Sequence, residues 1–287
     1  MFDKYTPLTG YDISLSFLST NLTSSIQVSN KYDCFSKCST IPSCLLVYIK
    51  LTQCNLYTKI DFTTFTNSPG SLVLYEKNIA DYSSINSYLT NHWSFNGNPN
   101  DKAGNDNLSG GLSYSYTTDR LNKPSSALYL NGGYITAPSD CYFCTDFTVS
   151  VWLKVNSYRG NLPSQRLFDF ASANAQDLVM CDLYGGINFG VANANYFIVI
   201  SAPILPTGKW QHLSLTLQGS YGTIYVNGII VKQGNLVSVR SVIKTQNYVG
   251  SSYNIGANRP DAIYDDFKIF NRSLTQSEIK KVMNSYF

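Results

Sequence analysis

The sequence predicts a mainly β protein in two parts, a small α+β domain stapled by disulfides followed by an antiparallel β-sandwich. Three observations predict it. Four of the seven cysteines crowd between Cys34 and Cys54. Beyond residue 90, apolar and polar residues alternate with the period of two that marks a strand with one core face. Turn signals separate those runs at the intervals of an all-β sandwich. At 287 residues the chain has ample length for two cores.

In residues 1–78, Asn30 is placed to cap a helix whose third position is Asp33, an arrangement close to a capping box. Cys34 and Cys38, four apart, then share one helical face. Pro42 ends the helix, and Cys44 opens the apolar run Leu45-Leu46-Val47-Tyr48-Ile49, which reads as a strand. Cys54-Asn55-Leu56-Tyr57 reads as a second strand and residues 71–76 as a closing one. Disulfides compensate for the thin core of so short a domain. A zinc site is the rival reading, but the spacing lacks a C-x-x-C pair and no histidine is near. Four unpaired thiols in a cytosolic chain is the bland alternative.

These residues resemble the PAN/apple family, whose core is a helix bearing C-x-x-x-C bridged to the strands after it. The resemblance implies pairing of Cys34 with Cys54 and of Cys38 with Cys44, and a module that contacts proteins or carbohydrates without catalysis. The extra terminal cysteine pair of apple domains is absent, so the likeness is to the reduced PAN form.

Residues 79–90 read as a linker with some helical character. After it, Phe147, Val149, Val151, Leu153 and Val155 fall on one strand face, and Thr148, Ser150, Trp152 and Lys154 on the other. Leu213, Leu215 and Leu217 alternate in the same way with His212, Ser214, Thr216 and Gln218. Residues 223–231 form a hairpin around Asn227-Gly228, because a type I′ turn needs positive φ at both central positions. Asn131-Gly132-Gly133 is expected to turn another, between Leu128-Tyr129-Leu130 and Tyr134-Ile135. A closing helix is announced by the capping box of Thr275 and Glu278, the staple of Leu274 with Ile279, and the stripe continued by Val282 and Met283.

The order of these features resembles the laminin-G-like (LamG) jelly-roll family of concanavalin A-like folds, over residues 91–287. The matching stretches are His92-Trp93-Ser94-Phe95-Asn96-Gly97, Asp101-Lys102-Ala103-Gly104-Asn105, Ala127-Leu128-Tyr129-Leu130-Asn131-Gly132, Pro206-Thr207-Gly208-Lys209-Trp210, and the finish from Asp265-Asp266-Phe267 to Asn271-Arg272. The resemblance implies two stacked antiparallel sheets, often a bound calcium, and glycans or extracellular proteins as ligands.

Catalysis finds little support. The chain has two glutamates, Glu76 and Glu278, and no E-x-D-x-E pattern of the kind that sandwich glycosidases use as nucleophile and acid. Asp265 and Asp266, as strand neighbours, are expected to point to opposite faces and so not to form a dyad. Asp265 is expected inward, with Phe267 and Ile269, where a carboxylate must find hydrogen-bond donors or a cation. The LamG resemblance makes that cation calcium, with Asn96 where the family usually has aspartate, and Asp101 and Asp106 near enough in sequence to contribute. His92 and His212 have no nucleophile at a motif position and read as structural or surface residues. Trp152 and His212 share the non-core parity of their strands, and a sugar-stacking platform there is weighed against simple packing beneath loops. Cys141-Tyr142-Phe143-Cys144 lacks the helix N-terminus of a redox motif and reads as a loop disulfide, with Cys181 left as a buried thiol or an intermolecular partner. A Cys144–Cys181 bridge is its competitor.

Charged residues make up 14% of the chain, and the net charge of +3 has no clustered basic face, which argues against a nucleic-acid partner. No run approaches the roughly 18 apolar residues of a membrane span. Met1-Phe2-Asp3-Lys4-Tyr5 lacks an apolar signal core, which taken literally indicates the cytosol; the cysteines argue for an extracellular, secreted chain whose signal is not in this sequence. Sequons at Asn21, Asn107 and Asn271 are compatible with secretion. The expectation is a non-catalytic recognition or adhesion protein that binds glycans or glycoproteins through loops on the sandwich rim, with calcium as a candidate aid. A targeting fragment of a larger secreted enzyme and a crosslinked structural component, suggested by the tyrosines and the odd cysteine, are the alternatives.

Overall fold

A computed structural model describes residues 5–8, 11–13, 22–27, 34, 46–50, 53–57, 65–67, 73–77, 82–158, 165–253 and 259–285. The chain separates into two compact units, Met1–Ser83 with Asn284–Phe287, and Ser84–Met283.

In the first unit the strands are β1 (Tyr5–Leu8), β2 (Tyr11–Ile13), β3 (Leu22–Gln27), β4 (Leu46–Lys50), β5 (Gln53–Tyr57), β6 (Phe65–Asn67) and β7 (Val73–Lys77). Five of them form an antiparallel sheet in the order β1-β7-β4-β5-β3, and β2 pairs with β6. Pro7 lies in β1 at the sheet edge, where a missing backbone donor is tolerated. Cys34, in helical backbone, is bridged to Cys54 of β5 across a Cα separation of 5.6 Å, and both are buried. Asn21, Asn30, Cys38, Pro42 and Cys44 lie outside the described residues.

The second unit begins within α1 (Tyr82–Asn86) and continues with β8 (Leu89–Trp93), β9 (Ser109–Thr117), β10 (Ala127–Ala137), β11 (Phe147–Ser157), β12 (Gln165–Ala171), β13 (Leu178–Leu183) and β14 (Ile187–Asn193). It continues through β15 (Tyr196–Ala202), β16 (Trp210–Gln218), β17 (Tyr221–Val226), β18 (Ile229–Asn235), β19 (Gln246–Val249) and β20 (Asp261–Phe270) to α2 (Gln276–Asn284). The antiparallel path runs β15-β14-β13-β12-β19-β10-β20-β11-β16-β17-β18, with β8 on β20 and β9 on β10. It folds over until its two ends touch. Ile200 of β15 lies so close to the other end that a Cβ on Gly222 or Gly234 would come within 3.2 or 2.9 Å of its side chain. Between the two layers lies one apolar core that includes Trp93, Phe147, Leu153, Phe189, Leu215 and Ile269.

The alternation read in β11 and β16 holds for the core face. The opposite face is not the wetter one expected: Thr148, Ser150, Ser214 and Thr216 are buried too. One cover is the C-terminal segment, since Leu274, Ile279 and Val282 pack with Ile85, Tyr225 and Phe270. The residues read as a linker therefore contribute α1 and the start of β8 to this unit.

Asn227 and Gly228 turn β17 into β18 with φ of 52° and 71°, as a type I′ turn requires. Asn131-Gly132-Gly133 does not turn a hairpin. It lies inside the single strand β10, which pairs with β20 through Leu128–Asn131 and with β19 through Ile135–Ala137. The β9–β10 register shifts between Leu130 and Tyr134, and Gly132 has a φ of 69°. A bulge needs the same positive φ as a tight turn, so the letters alone do not separate the two. Gly133 permits close approach of β9, for a Cβ there would lie 2.0 Å from the Ser113 carbonyl oxygen.

Candidate functional site

The outer face of β16, β17 and β18 carries a groove of ≈ 350 Å³. Register aligns Thr148, Thr216, Thr223 and Gln233 in one row across four strands, and sets Gln218 opposite Tyr221. Gln233 Nε2 donates to Thr223 Oγ1 at 3.2 Å. Thr216 and Tyr225 line the groove while only 3% and 6% exposed, and their hydroxyls have no hydrogen-bond partner among the described residues. Tyr221, by contrast, is 47% exposed. Among the described residues no charged side chain lines the groove.

Its other bank is Ser273-Leu274-Thr275. Thr148 Oγ1 donates to the Arg272 carbonyl at 2.8 Å and accepts from Leu274 N at 2.9 Å, which fixes that segment over β11. Arg272 donates to both Glu278 oxygens at 2.9 and 2.7 Å, and its guanidinium stacks 4.3 Å from the Tyr88 ring. Glu278 also accepts from Thr275 N at 2.8 Å, completing the capping box. Chiefly through Arg272, the Glu278 carboxyl is held down to about 2. The groove therefore offers hydroxyls and amides, groups that mostly both donate and accept, beside one open ring. That inventory suits an uncharged polyhydroxylated molecule better than an ion.

A second polar set lies where β20 meets β11. Trp152 stands opposite Asp265 and Ser150 opposite Lys268, so β20 has one residue more than β11 over that interval, and Asp266 has a φ of 50°. This bulge overturns the expectation that Asp265 and Asp266 point apart. Arg120 Nη1 binds the Asp265 carboxylate while Nη2 donates to Asp266 Oδ2 at 2.7 Å. Asp265 accordingly sits in register with Trp152 and not with the core residues Phe267 and Ile269. His92 Nε2 donates to Asp266 Oδ1 at 2.7 Å, and Lys268 Nζ lies 3.9 Å from the same oxygen. Burial disfavours every charge here, yet Lys268, Arg120 and His92 together hold Asp266 well below the usual carboxylate range. Burial pushes Asp265 up against the pull of Arg120.

A profile described as the concanavalin A-like lectin/glucanases superfamily matches residues 130–280, more than half of the chain. The chain belongs to the concanavalin A-like lectin/glucanases superfamily. Solved structures share this superfamily fold. The binding domain of Paraclostridial Mosquitocidal Protein 1 is 19% identical with a TM-score of 0.55, over 68% of this chain and 52% of that one. Domain 4 of AbnA, a GH43 extracellular arabinanase from Geobacillus stearothermophilus solved with arabinotriose, is 19% identical with a TM-score of 0.50, over 68% and 97%. Botulinum neurotoxin type C, which depends on interaction with two ganglioside molecules to enter cells, is 15% identical with a TM-score of 0.56, over 72% and 53%. At such identities the likeness is one of fold, and this chain spans about half the length of the toxin chains it matches. No curated protein matches the sequence.

On this superfamily scaffold the sequence-read site residues fall apart into separate settings. Asp265 is held by Arg120. Asn96 Oδ1 accepts from Lys123 Nζ at 3.3 Å. Asp101 accepts from Asn91 Nδ2 and His92 N, both at 2.8 Å, and Asn91 Nδ2 also reaches Asp106 at 3.0 Å. A calcium ion shared by Asp265, Asn96 and Asp101 would compete with Arg120 and Lys123 for their oxygens. Among the described residues no three His, Cys, Asp or Glu side chains gather as a metal site. Trp152 and His212 do meet, with ring centroids 5.3 Å apart. They form no open platform, because His212 is 1% exposed and Arg120 lies 5.1 Å over the Trp152 ring. Burial lowers His212 to about 3, and its neutral ring hydrogen-bonds Ser150 Oγ at 2.8 Å. Cys141 and Cys144 are bridged, and Cys181 is a free thiol in the core, raised by burial. Of the groove, alternation alone had already placed Thr216 and Gln218 on the non-core face. Its remaining lining depends on hairpin register and on the docking of the last helix, which no local pattern encodes.

Proposed function

We propose that the chain is an extracellular, non-catalytic recognition module that binds glycans or glycoproteins through the groove on β16, β17 and β18, in adhesion or matrix contact. The observation that carries this reading is the pair of hydroxyls of Thr216 and Tyr225, without protein partners and open to the groove on otherwise buried side chains, beside the exposed Tyr221. Hydroxyls held in place by buried side chains and facing a groove are preorganised to bond a ligand hydroxyl in place of water. The folds it shares add support, since AbnA domain 4 was solved with arabinotriose and a botulinum neurotoxin DC binding domain with rat synaptotagmin II. The bridges Cys34–Cys54 and Cys141–Cys144 support an oxidising compartment. Among the described residues no helix is long and apolar enough to cross a membrane. The coverage of nearly all of AbnA domain 4 also favours a second reading, a targeting module of a larger secreted enzyme, which a transcript extending into a catalytic domain would establish.

The test is binding to an immobilised panel of uncharged oligosaccharides and matrix glycoproteins, with and without chelator. Tyr221→Ala is expected to weaken binding by about fivefold, the scale of one aromatic contact of roughly 1 kcal/mol. Thr216→Val is expected to weaken it several-fold. Binding is expected to persist under chelation, because no carboxylate lines the groove. Absence of any ligand from the panel would reject the reading.

A further inference from the structure

The opposite layer of the sandwich has a polar row of a different kind. On β12 to β15 the core takes Phe168, Cys181, Phe189 and Ile200, and the alternate positions face outward, joined by Arg166 because the β12–β13 register shifts between Arg166 and Phe168. There Arg166 pairs in register with Asp182, Asp182 with Asn188, and Asn188 with Ser201, a line spanning roughly 14 Å at the usual strand spacing. Its bonds run in sequence. Ser201 Oγ donates to Asn188 Oδ1 at 2.6 Å, Asn188 Nδ2 to Asp182 Oδ1 at 2.8 Å, and Arg166 Nη1 to Asp182 Oδ2 at 3.3 Å. Behind Arg166, Asp169 Oδ2 accepts from Ser252 Oγ at 2.6 Å.

The row is satisfied except at its inner end. Asp169, 0% exposed, leaves Oδ1 without a hydrogen bond, and Arg166 Nε makes none although it lies 3.4 Å from Asp169 Oδ2. Asp169 Oδ1 thus lacks a donor, beside a partly exposed guanidinium whose Nε is held to the same carboxylate by charge and not by a hydrogen bond. A carboxylate or carbonyl satisfies only the donor and an ammonium only the acceptor, whereas a hydroxyl gives its proton to Asp169 and takes one from Arg166. At the outer end Ser201 is exposed; Tyr184, whose carbonyl accepts from Asn188 Nδ2 at 2.9 Å, and Phe197, four residues along β15, are exposed as well, and such rings suit the apolar faces of sugars.

We propose that this row is a second glycan-binding site, which takes an inserted sugar hydroxyl between Asp169 and Arg166 and further hydroxyls along the row to Ser201. It rests on the reading of the chain as a glycan-binding module, and it adds a charged, hydroxyl-selective site to the uncharged groove.

Titration calorimetry with the tightest oligosaccharide from the panel tests it. The wild-type chain is expected to bind two equivalents, and Tyr221→Ala to leave one. Asp169→Asn is expected to abolish the site that Tyr221→Ala spares. Ser201→Ala, at an exposed position where folding is not at stake, is expected to weaken it several-fold. A single equivalent removed by Tyr221→Ala overturns this inference and leaves the groove intact, while no binding to any panel member overturns both. Two equivalents indifferent to both Asp169→Asn and Ser201→Ala, or a loaded crystal with only an ordered water between Asp169 and Arg166, overturn the second site alone.

Discussion

Glu278 ties the start of the last helix to Arg272, and its carboxyl titrates near 2 where an ordinary glutamate titrates near 4.5. The native state therefore binds fewer protons than the unfolded chain between those values, so the stabilisation is complete above about 4.5 and is lost as the pH falls toward 2. Because the pair is partly solvated, it is worth about 1 kcal/mol at neutral pH. Glu278→Gln is expected to lower the melting temperature at pH 6 and to cost nothing near pH 2, in parallel thermal melts. Arg120 presents a harsher case. Its guanidinium bridges Asp265 and Asp266, so Arg120→Ala leaves two buried carboxylates without their shared cation, at an expected cost of about 3–5 kcal/mol in urea unfolding. The shared face of Trp152 and His212 was legible from alternation, because strand parity is local. Their covering was not, since Arg120 comes from 145 residues before Asp265.

The two glycine turns show where local reading of elements stops. Asn227-Gly228 and Asn131-Gly132 offer the same permissive backbone, yet one closes a hairpin and the other bends a continuous strand. Which outcome occurs depends on whether the flanking strands pair with each other or with β9, β19 and β20, and that is decided by the rest of the sheet. The capping box of α2 was legible because all its partners lie within four residues. At the bulge, Gly133→Ala would drive a methyl into the β9 backbone and is expected to destabilise the unit by about 2–3 kcal/mol, measured by chemical unfolding. The Asp265–Asp266 bulge is the same lesson in reverse: one extra residue in β20 turned a sound parity argument into a wrong orientation.

For the molecule as a whole, cysteine crowding and period-two alternation were enough to reach a mainly β chain with a sandwich, because both report burial patterns that survive any rearrangement of loops. The groove and the outer row were hidden, since each is assembled from three or more elements. The two bridges should differ in what they contribute. Cys34 and Cys54 are 20 residues apart, a closure worth about 3 kcal/mol, whereas Cys141 and Cys144 are separated by 3 and restrict the unfolded chain less. Differential scanning calorimetry under reducing conditions is expected to lower a transition of the first unit clearly and that of the sandwich little.

Cys181 has one more consequence. Among the described residues it is the only free cysteine, and it is sealed between Leu183 and Val179 in the middle of the core. A thiol reagent reaches it only when the two layers part, so the speed of its labelling becomes a clock for the rare openings of the folded population. Covalent pairing of two chains through this sulfur would for the same reason count damaged molecules and not intact ones.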